Sequence, residues 1–298
     1  MAAALALIMM GLAGCSRTVE DVAKWETSGN IEKLTEALTD PKAEVREAAL
    51  QSLGTLKAEA AIDNIAACFN DPEENVVLAS VNALAAMESN AAVTPLIAAL
   101  KLEYPDANST AAEALGRLEA PSAVKPLAEL LNSDNEEEVL VVIEALGRIG
   151  REEGSRPLVE KLSSSSSASI RKACIEALSS TGGPAALKAL VDTLSDSDPV
   201  LREIAKTSLI KIGDPAVPSI LGGLRSDDRG VRSASVALLR GLSAVPTDGH
   251  SLVWYQLARA TTDESSAIDP ETVNILVGMG MDAATPLLEA AAHSDPEI

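Results

Sequence analysis

The sequence predicts an all-α protein, and within that class an α-solenoid of stacked antiparallel helix pairs. Apolar residues recur at helical spacing in short segments, and similar segments return about every 31 residues. No stretch alternates apolar and polar residues for long enough to predict a β-strand. Aromatic residues are only 2% of the chain against 47% apolar residues, so Ala and Leu must form the core of short, closely packed helices.

The repeating unit is clearest between residues 123 and 150. Val124, Leu127 and Leu131 share one face of a first helix, and the polar residues 132–135 form a turn. Apolar residues then recur at helical spacing along a second helix that includes Leu146. Each helix is apolar on one side only, so we expect a pair to bury its core only by stacking on its neighbours.

Two ladders of apolar residues mark the repeats, and both keep a spacing of 30 to 32 residues. The first-helix markers are Leu34, Ile65, Leu96, Leu127, Leu158, Leu190 and Ile220. The second-helix markers are Leu53, Leu84, Leu115, Leu146, Leu178, Leu209 and Leu239. They predict seven repeats over residues 29–242, followed over 243–298 by an irregular eighth pair and a partial ninth. We therefore expect about eight short repeats, and the unfinished ninth suggests a longer chain.

Proline, aspartate and glycine punctuate the repeats at matching places. Prolines at 95, 126 and 157 lie near the start of first helices, where a missing N–H does least harm. Asp-Pro pairs at 40, 71 and 198 predict that the aspartate caps a second helix. Glycines at 54, 116 and 147 directly follow the second-helix leucine, and we expect a close backbone approach to a neighbouring helix there.

The first residues of the chain have the pattern of a secretory signal. An apolar helix of fourteen residues would span roughly 21 Å, which is short of the ~30 Å hydrocarbon core. The run ends in Leu12-Ala13-Gly14-Cys15, which resembles the bacterial lipobox. This predicts a signal peptide over 1–14, a lipidated Cys15 and a tether or first helix over 15–28. The alternative is an N-terminal helix that packs on the first repeat.

The segments Asp40–Gly54 and Ser195–Leu221 resemble HEAT repeats, and the short unit is similar to that of phycobilisome bilin lyases. The resemblance covers about residues 29–242. It implies an arginine early in each second helix that bonds to acidic or carbonyl groups of the next unit. Arg46, Arg171, Arg202 and Arg232 keep this arginine. The three middle repeats instead have Val77, Asn108 and Val139, which predicts an interrupted ladder.

Charge and motifs exclude several functions. The formal charge of −20 would repel phosphate backbones, so nucleic acid is not an expected partner. The two histidines lie in different repeats, and no catalytic or phosphate-binding motif is present, so we expect no enzyme activity, metal or cofactor. We expect buried free thiols at Cys68 and Cys174. Trp254 and Tyr255, beside His250, form either a ligand patch or the filling of a distorted repeat.

Protein binding is better motivated than catalysis. In solenoids of the resembled family the second helices line the concave side, and residues two and six positions before each leucine marker should face away from the core. The candidate binding residues are Leu78, Asn82, Glu113, Leu140, Glu144 and Glu176. A mostly acidic surface with an apolar middle would suit an extended peptide or a protein surface. The alternative is that each leucine only covers the flank of its neighbour.

These observations predict a membrane-tethered, extracytoplasmic adaptor that binds protein partners through its concave face. By resemblance to Gram-negative lipoproteins, Ser16 after the lipidated cysteine points to the outer membrane. Two alternatives remain open. One is a bilin-lyase-like protein that attaches a chromophore, and the other is a structural spacer of the cell envelope whose groove binds nothing.

Overall fold

The computed structural model describes residues 17–242, 251, 254, 255, 258, 277 and 284–291. Every regular element in these residues is an α-helix or a short 3-10 helix, and the described residues contain no strand. The predicted all-α class is confirmed, and the architecture is an α-solenoid of helix pairs. None of the helices in this part of the chain has the length and hydropathy needed to span a bilayer.

Seven helix pairs succeed one another between residues 31 and 241, and we number them repeats one to seven. Their first helices are Ile31–Ala37, Ile62–Ala67, Val93–Ala99, Val124–Leu130, Ser155–Ser164, Gly183–Asp192 and Val217–Gly223. Their second helices are Ala43–Thr55, Glu74–Met87, Pro105–Arg117, Glu136–Ile149, Ala168–Thr181, Pro199–Ile212 and Arg229–Gly241. Among the described residues, the helix Val19–Thr27 precedes the pairs, and the helix Ala284–Ala291 lies after them.

The chain forms two compact units, which meet in sequence between Ala145 and Leu146, inside the second helix of repeat four. Within unit one, which ends at Ala145, the second helix of each of the first two repeats packs on the second helix of the next repeat. Within unit two, the second helices of repeats five and six pack on each other in the same way. Each unit therefore builds its core between repeats as well as inside them.

Both marker ladders form the centre of this core. No first-helix or second-helix marker between Leu34 and Leu239 is more than 1% exposed. Burying a leucine or isoleucine side chain contributes about 1.5–3 kcal/mol. Because a single pair of short helices cannot enclose these residues, the burial depends on the neighbouring repeat.

Glycines after three of the second-helix leucines allow the backbones of adjacent helices to approach closely, as predicted. A Cβ atom on Gly54 would lie 2.9 Å from the Cα of Ala83 in the next repeat. The same atom on Gly116 would lie 2.8 Å from the Cα of Ala145, and on Gly147 it would lie 3.0 Å from that of Ala177. An alanine at these positions would force the helices apart.

The predicted aspartate caps are confirmed in one repeat and wrong in two. Asp198 is the N-cap of its helix and accepts a hydrogen bond from the Val200 N–H at 2.8 Å. Asp40 and Asp71 lie two residues before the N-cap, and each accepts the N–H two residues further on at 3.0 Å. These two carboxylates close the turn before the helix, because they lie 13 residues before the leucine marker, whereas Asp198 lies only 11 residues before it.

A left-handed residue ends the second helix of each of the first six repeats, four positions after the leucine marker. In repeats four to six this residue is glycine, at positions 150, 182 and 213. In repeats one to three it is Lys57, Glu88 or Glu119, with φ of 48°, 50° and 47°. The sequence did not indicate these turns in the first three repeats, because the usual glycine is missing there.

The predictions for the two ends of the chain fall largely outside the described residues, including Cys15, the signal segment 1–14, and most of 243–298 with His250. Trp254 and Tyr255 are described and buried. Arg225 lies 5.5 Å from the centre of the Trp254 ring, and the Arg240 Nε donates to the Tyr255 hydroxyl at 3.0 Å. These contacts support the packing interpretation of the two aromatic residues.

Candidate functional site

The exposed side of the second helices is formed by residues nine, six and two positions before each leucine marker. We call these residues of repeats one to four the second-helix face of unit one. They are Glu44, Glu47, Gln51, Asn75, Leu78, Asn82, Asp106, Ser109, Glu113, Glu137, Leu140 and Glu144. The face contains five of the six candidate residues, and the sixth, Glu176, lies in unit two.

The positions two before the leucine marker face solvent throughout, as the helical spacing requires. Gln51, Asn82, Glu113 and Glu144 are exposed in unit one, and Glu176 is exposed in unit two. The structure therefore leaves all four polar candidate residues accessible to a partner.

The positions six before the marker are more enclosed in unit one than in unit two. Leu78 and Leu140 are half-buried, whereas Lys172 and Glu203 are exposed. A half-buried leucine covers part of the neighbouring helix and also presents apolar surface. Half-burial agrees with either interpretation of these leucines.

Short polar contacts order parts of the second-helix face of unit one. The Asn75 amide donates to Glu47 in the preceding repeat at 2.7 Å. Arg117 pairs with Glu113 one turn earlier at 2.8 Å, and it also donates to the Ala85 carbonyl oxygen at 3.4 Å. Exposed pairs of this kind contribute little to stability. They hold the side chains in place without covering the face.

Arg46 links the second helix of repeat one to repeat two. Its Nε and Nη2 donate to the two carboxylate oxygens of Asp71 at 2.7 and 2.6 Å, and its Nη1 donates to the Asp40 carbonyl oxygen at 2.8 Å. Arg171 also pairs with the aspartate of the next repeat, through a contact of its Nη2 with Asp196. The expected bond to an acidic group of the next unit is therefore confirmed for these two arginines.

The carbonyl partners differ from the prediction. The Asp40 carbonyl belongs to the same repeat as Arg46. Arg202 likewise donates to the Asp196 carbonyl oxygen at 2.6 Å, and Arg232 donates to that of Ser226 at 2.8 Å, six residues before each arginine. The arginine therefore also stabilises the turn that precedes its own helix.

These observations, with one comparison, decide the family. A sequence model described as HEAT repeats matches residues 31–106, 94–160 and 155–240, which is more than half of the chain. The chain belongs to the HEAT-repeat family. No curated protein matches its sequence.

Several solved structures resemble these HEAT repeats. An engineered protein is 18% identical, with a TM-score of 0.46, over 93% of this chain and 92% of its own. The complex of CpcE and CpcF of phycocyanin lyase from Nostoc sp. PCC7120 is 19% identical, with a TM-score of 0.44, over 86% and 94%. A designed armadillo repeat protein in complex with the peptide (KR)4 is 19% identical, with a TM-score of 0.47, over 61% and 98%. No function follows from similarities of this size.

The HEAT arginine is absent from repeats two to four, and repeat three contains a substitute. Asn108 occupies the arginine position and donates to the Glu138 carboxylate of the next repeat at 3.0 Å. Glu138 is only 4% exposed and also accepts a hydrogen bond from the Ser133 hydroxyl. Glu138 is therefore buried, whereas the adjacent Glu136 and Glu137 are exposed.

A regularity of the sequence would have revealed these links between HEAT repeats. The residue 25 positions after the arginine is aspartate in three of the four repeats that keep the arginine, namely Asp71, Asp196 and Asp227, and it is leucine after Arg232. Where the arginine is lost the aspartate is lost too, since Val77 corresponds to Leu102 and Asn108 to Ser133. No repeat has the aspartate without the arginine, which agrees with the cost of leaving a buried carboxylate unpaired.

The described residues offer little for catalysis. No group of three or more His, Cys, Asp or Glu residues in this part of the chain is arranged to hold a metal ion. Cys68 and Cys174 are buried free thiols, as predicted, and burial raises the pKa of both. A cleft of about 450 Å³ in unit two contains Asp192 and Asp196, but Lys188 and Arg171 already pair with these carboxylates.

Proposed function

We propose that this HEAT-repeat protein is a membrane-tethered, extracytoplasmic adaptor that binds protein partners through the second-helix face of unit one. The observation that carries the proposal is the exposure of Gln51, Asn82, Glu113 and Glu144 on the second helices of four successive repeats. The fold needs none of these side chains for its core, since the adjacent leucine markers supply it. A row of accessible side chains on a rigid scaffold is well suited to recognising another protein.

The tether would be formed by Cys15, whose sequence context resembles a lipobox. Lipid chains on this cysteine would hold the repeats at a membrane surface, and Ser16 favours the outer membrane in a Gram-negative cell. The role would be one of recognition and not of catalysis. The buried ion pair of Arg46 with Asp71 agrees with this role, because it links two repeats of the scaffold.

Photo-crosslinking tests the adaptor role directly. A photoreactive amino acid in place of Asn82 should crosslink the full-length protein to a distinct partner in intact cells. The same substitution at Asp63, an exposed position on a first helix, is the matched control. A partner captured equally from both positions would contradict binding through the second-helix face of unit one. Capture from neither position would contradict the proposal and would favour a structural spacer.

The tether has a separate test. Cys15→Ser should abolish labelling by a fatty-acid probe and should release the protein from the membrane fraction, whereas Cys68→Ser should do neither. Membrane association that persists in the Cys15→Ser variant would contradict lipid anchoring and would leave the adaptor role to be judged by the crosslinks.

A further inference from the structure

The two units differ in the charge of their second helices. The second-helix face of unit one contains six acidic residues and no lysine or arginine at its twelve positions. The corresponding positions of repeats five to seven contain two acidic residues, Glu176 and Glu203. In unit two Lys172 lies 3.8 Å from Glu176, and Lys206 lies 3.4 Å from Glu203. In unit one Arg117 likewise pairs with Glu113 at 2.8 Å. The two units therefore differ in the number of acidic residues on the face, which is six in unit one and two in unit two.

The helices themselves explain only part of this charge. Glu44, Asp106 and Glu137 lie in the first turns of their helices, where the helix dipole favours a carboxylate. Glu113 and Glu144 lie in the C-terminal halves of their helices, where the dipole offers no such support. Both are exposed, and the pair of Glu113 with Arg117 also lies at the surface, so a cationic ligand can reach the carboxylates from solvent without disturbing the core.

Leu78 and Leu140 add apolar surface to the same face. They occupy equivalent positions in repeats two and four, and the small residue Ser109 lies between them in repeat three. Packed helices are separated by 8–10 Å, so two repeats correspond to roughly 16–20 Å. An extended chain covers about 3.3 Å per residue, so this span corresponds to about five or six residues. Side chains six residues apart lie on the same side of an extended chain.

We propose that the second-helix face of unit one binds an extended cationic segment of a partner protein. Two apolar side chains of the segment, six residues apart, contact Leu78 and Leu140. Lysine or arginine side chains between and after them face Glu113 and Glu144. This inference rests on the proposed adaptor function and specifies the chemistry of its partner.

Peptide binding to the purified full-length protein tests the proposal. The probe is a fluorescent twelve-residue peptide of lysine and serine with two leucines six positions apart. A second peptide has the leucines five positions apart, which places them on opposite sides of an extended chain. A third has glutamate for every lysine. The first peptide should bind at least tenfold more tightly than either of the others, and its affinity should fall as salt is raised.

Two pairs of variants identify the binding surface. Glu113→Lys with Glu144→Lys should weaken binding of the first peptide about tenfold or more, since attraction becomes repulsion. The matched control is Glu32→Lys with Glu129→Lys, which changes the net charge equally on exposed first-helix positions and should bind like the wild type. Leu78→Asn with Leu140→Asn should remove the preference for leucines six positions apart. Circular dichroism spectra must match the wild type for each variant.

The outcomes separate this inference from the adaptor function. Equal binding of the two leucine spacings, or binding that survives the leucine substitutions, would indicate general attraction of cations and would overturn the proposal. An absence of cationic peptide binding would also overturn it. If Asn82 still crosslinks a partner in cells, the adaptor function stands with a partner of different chemistry. If neither experiment gives binding, both proposals fail.

Discussion

Arg46 and Asp71 form a bidentate ion pair between successive repeats, with both nitrogen–oxygen distances below 2.8 Å. Their side chains are only 10% and 9% exposed. Arg46 also donates to the Asp40 carbonyl oxygen. The Arg46 guanidinium thus links the turn before its own helix to the next repeat.

Loss of Arg46 should therefore be costly. Arg46→Ala leaves the Asp71 carboxylate buried without its cationic partner and should lower the free energy of unfolding by about 3 kcal/mol. Urea denaturation of the wild type and the variant measures the difference. The control is Arg46→Val with Asp71→Leu, the residues that the chain has at the corresponding positions 77 and 102. This double variant should be less destabilised than Arg46→Ala, and a larger loss would contradict the prediction.

The same pair predicts a dependence on pH. Burial by itself raises the pKa of Asp71, but hydrogen bonds from Arg46 and the Glu73 N–H, with the guanidinium charge, lower it overall below its ordinary value of 3.8. The carboxylate therefore stabilises the fold above pH 3.8, and this contribution is lost as the pH falls through the lowered value. Between pH 5 and pH 3 the stability of the wild type should fall more steeply than that of Asp71→Asn. Parallel profiles would contradict this assignment.

Glu119 should be a stabilising position for glycine. Its φ of 47° is left-handed, which costs a non-glycine residue about 1–2 kcal/mol. Glycine loses more chain entropy on folding, so Glu119→Gly should gain about 0.5 kcal/mol in urea denaturation. The reverse change, Gly213→Ala, should lose about 1 kcal/mol, because nothing lies closer than 4.0 Å to the added Cβ atom and the cost is conformational. If both variants shift stability in the same direction, the explanation is wrong.

The glycines between second helices should not tolerate alanine. Gly54→Ala and Gly116→Ala place a Cβ atom within 3 Å of the next helix backbone, and each should lose about 2 kcal/mol. Gly222→Ala is the control, because it lies in a helix with nothing within 4 Å of the added atom. It should be neutral or gain up to about 1 kcal/mol from helix propensity. Thermal denaturation that ranks Gly222→Ala below the other two would contradict this account.

The buried thiols should be unreactive in the folded protein. Burial raises the pKa of Cys174 to about 12, and burial also raises that of Cys68. Since the thiolate is the reactive form, both should resist a disulfide reagent at pH 8 in the Cys15→Ser variant and should react rapidly in denaturant. Fast labelling of either cysteine without denaturant would show that the thiol is accessible.

The sequence predicted the repeats well because they depend on spacing. Leu53 and its counterparts recur once per repeat, and helical periodicity determines which side of the helix they occupy. The close helix approach at Gly54 was predictable for the same reason, since this glycine directly follows the leucine marker. Glu119 was not, because a left-handed helix end is visible in a sequence only when glycine occupies it. The burial of Glu138 depends on the tertiary partner Asn108, and no local pattern shows that partner.

The candidate site was predictable only in part. Helical spacing correctly predicted that Asn82 and Glu113 are exposed. A residue two positions before a buried leucine lies on the opposite side of the helix. The half-burial of Leu78 and Leu140 depends on how closely the next helix approaches. Close approach is allowed elsewhere on these helices by residues such as Gly116, which lies against Ala145.

The central claim is that each helix pair shares its core with the next repeat. Native-state hydrogen exchange of the wild type and Gly116→Ala, followed peptide by peptide, tests it most directly. Because Gly116 contacts Ala145, exchange should accelerate in the helix Pro105–Arg117 and in residues 136–145 together, with a smaller effect in repeat one. Faster exchange confined to Pro105–Arg117 would contradict the claim and would show that each pair is stable alone.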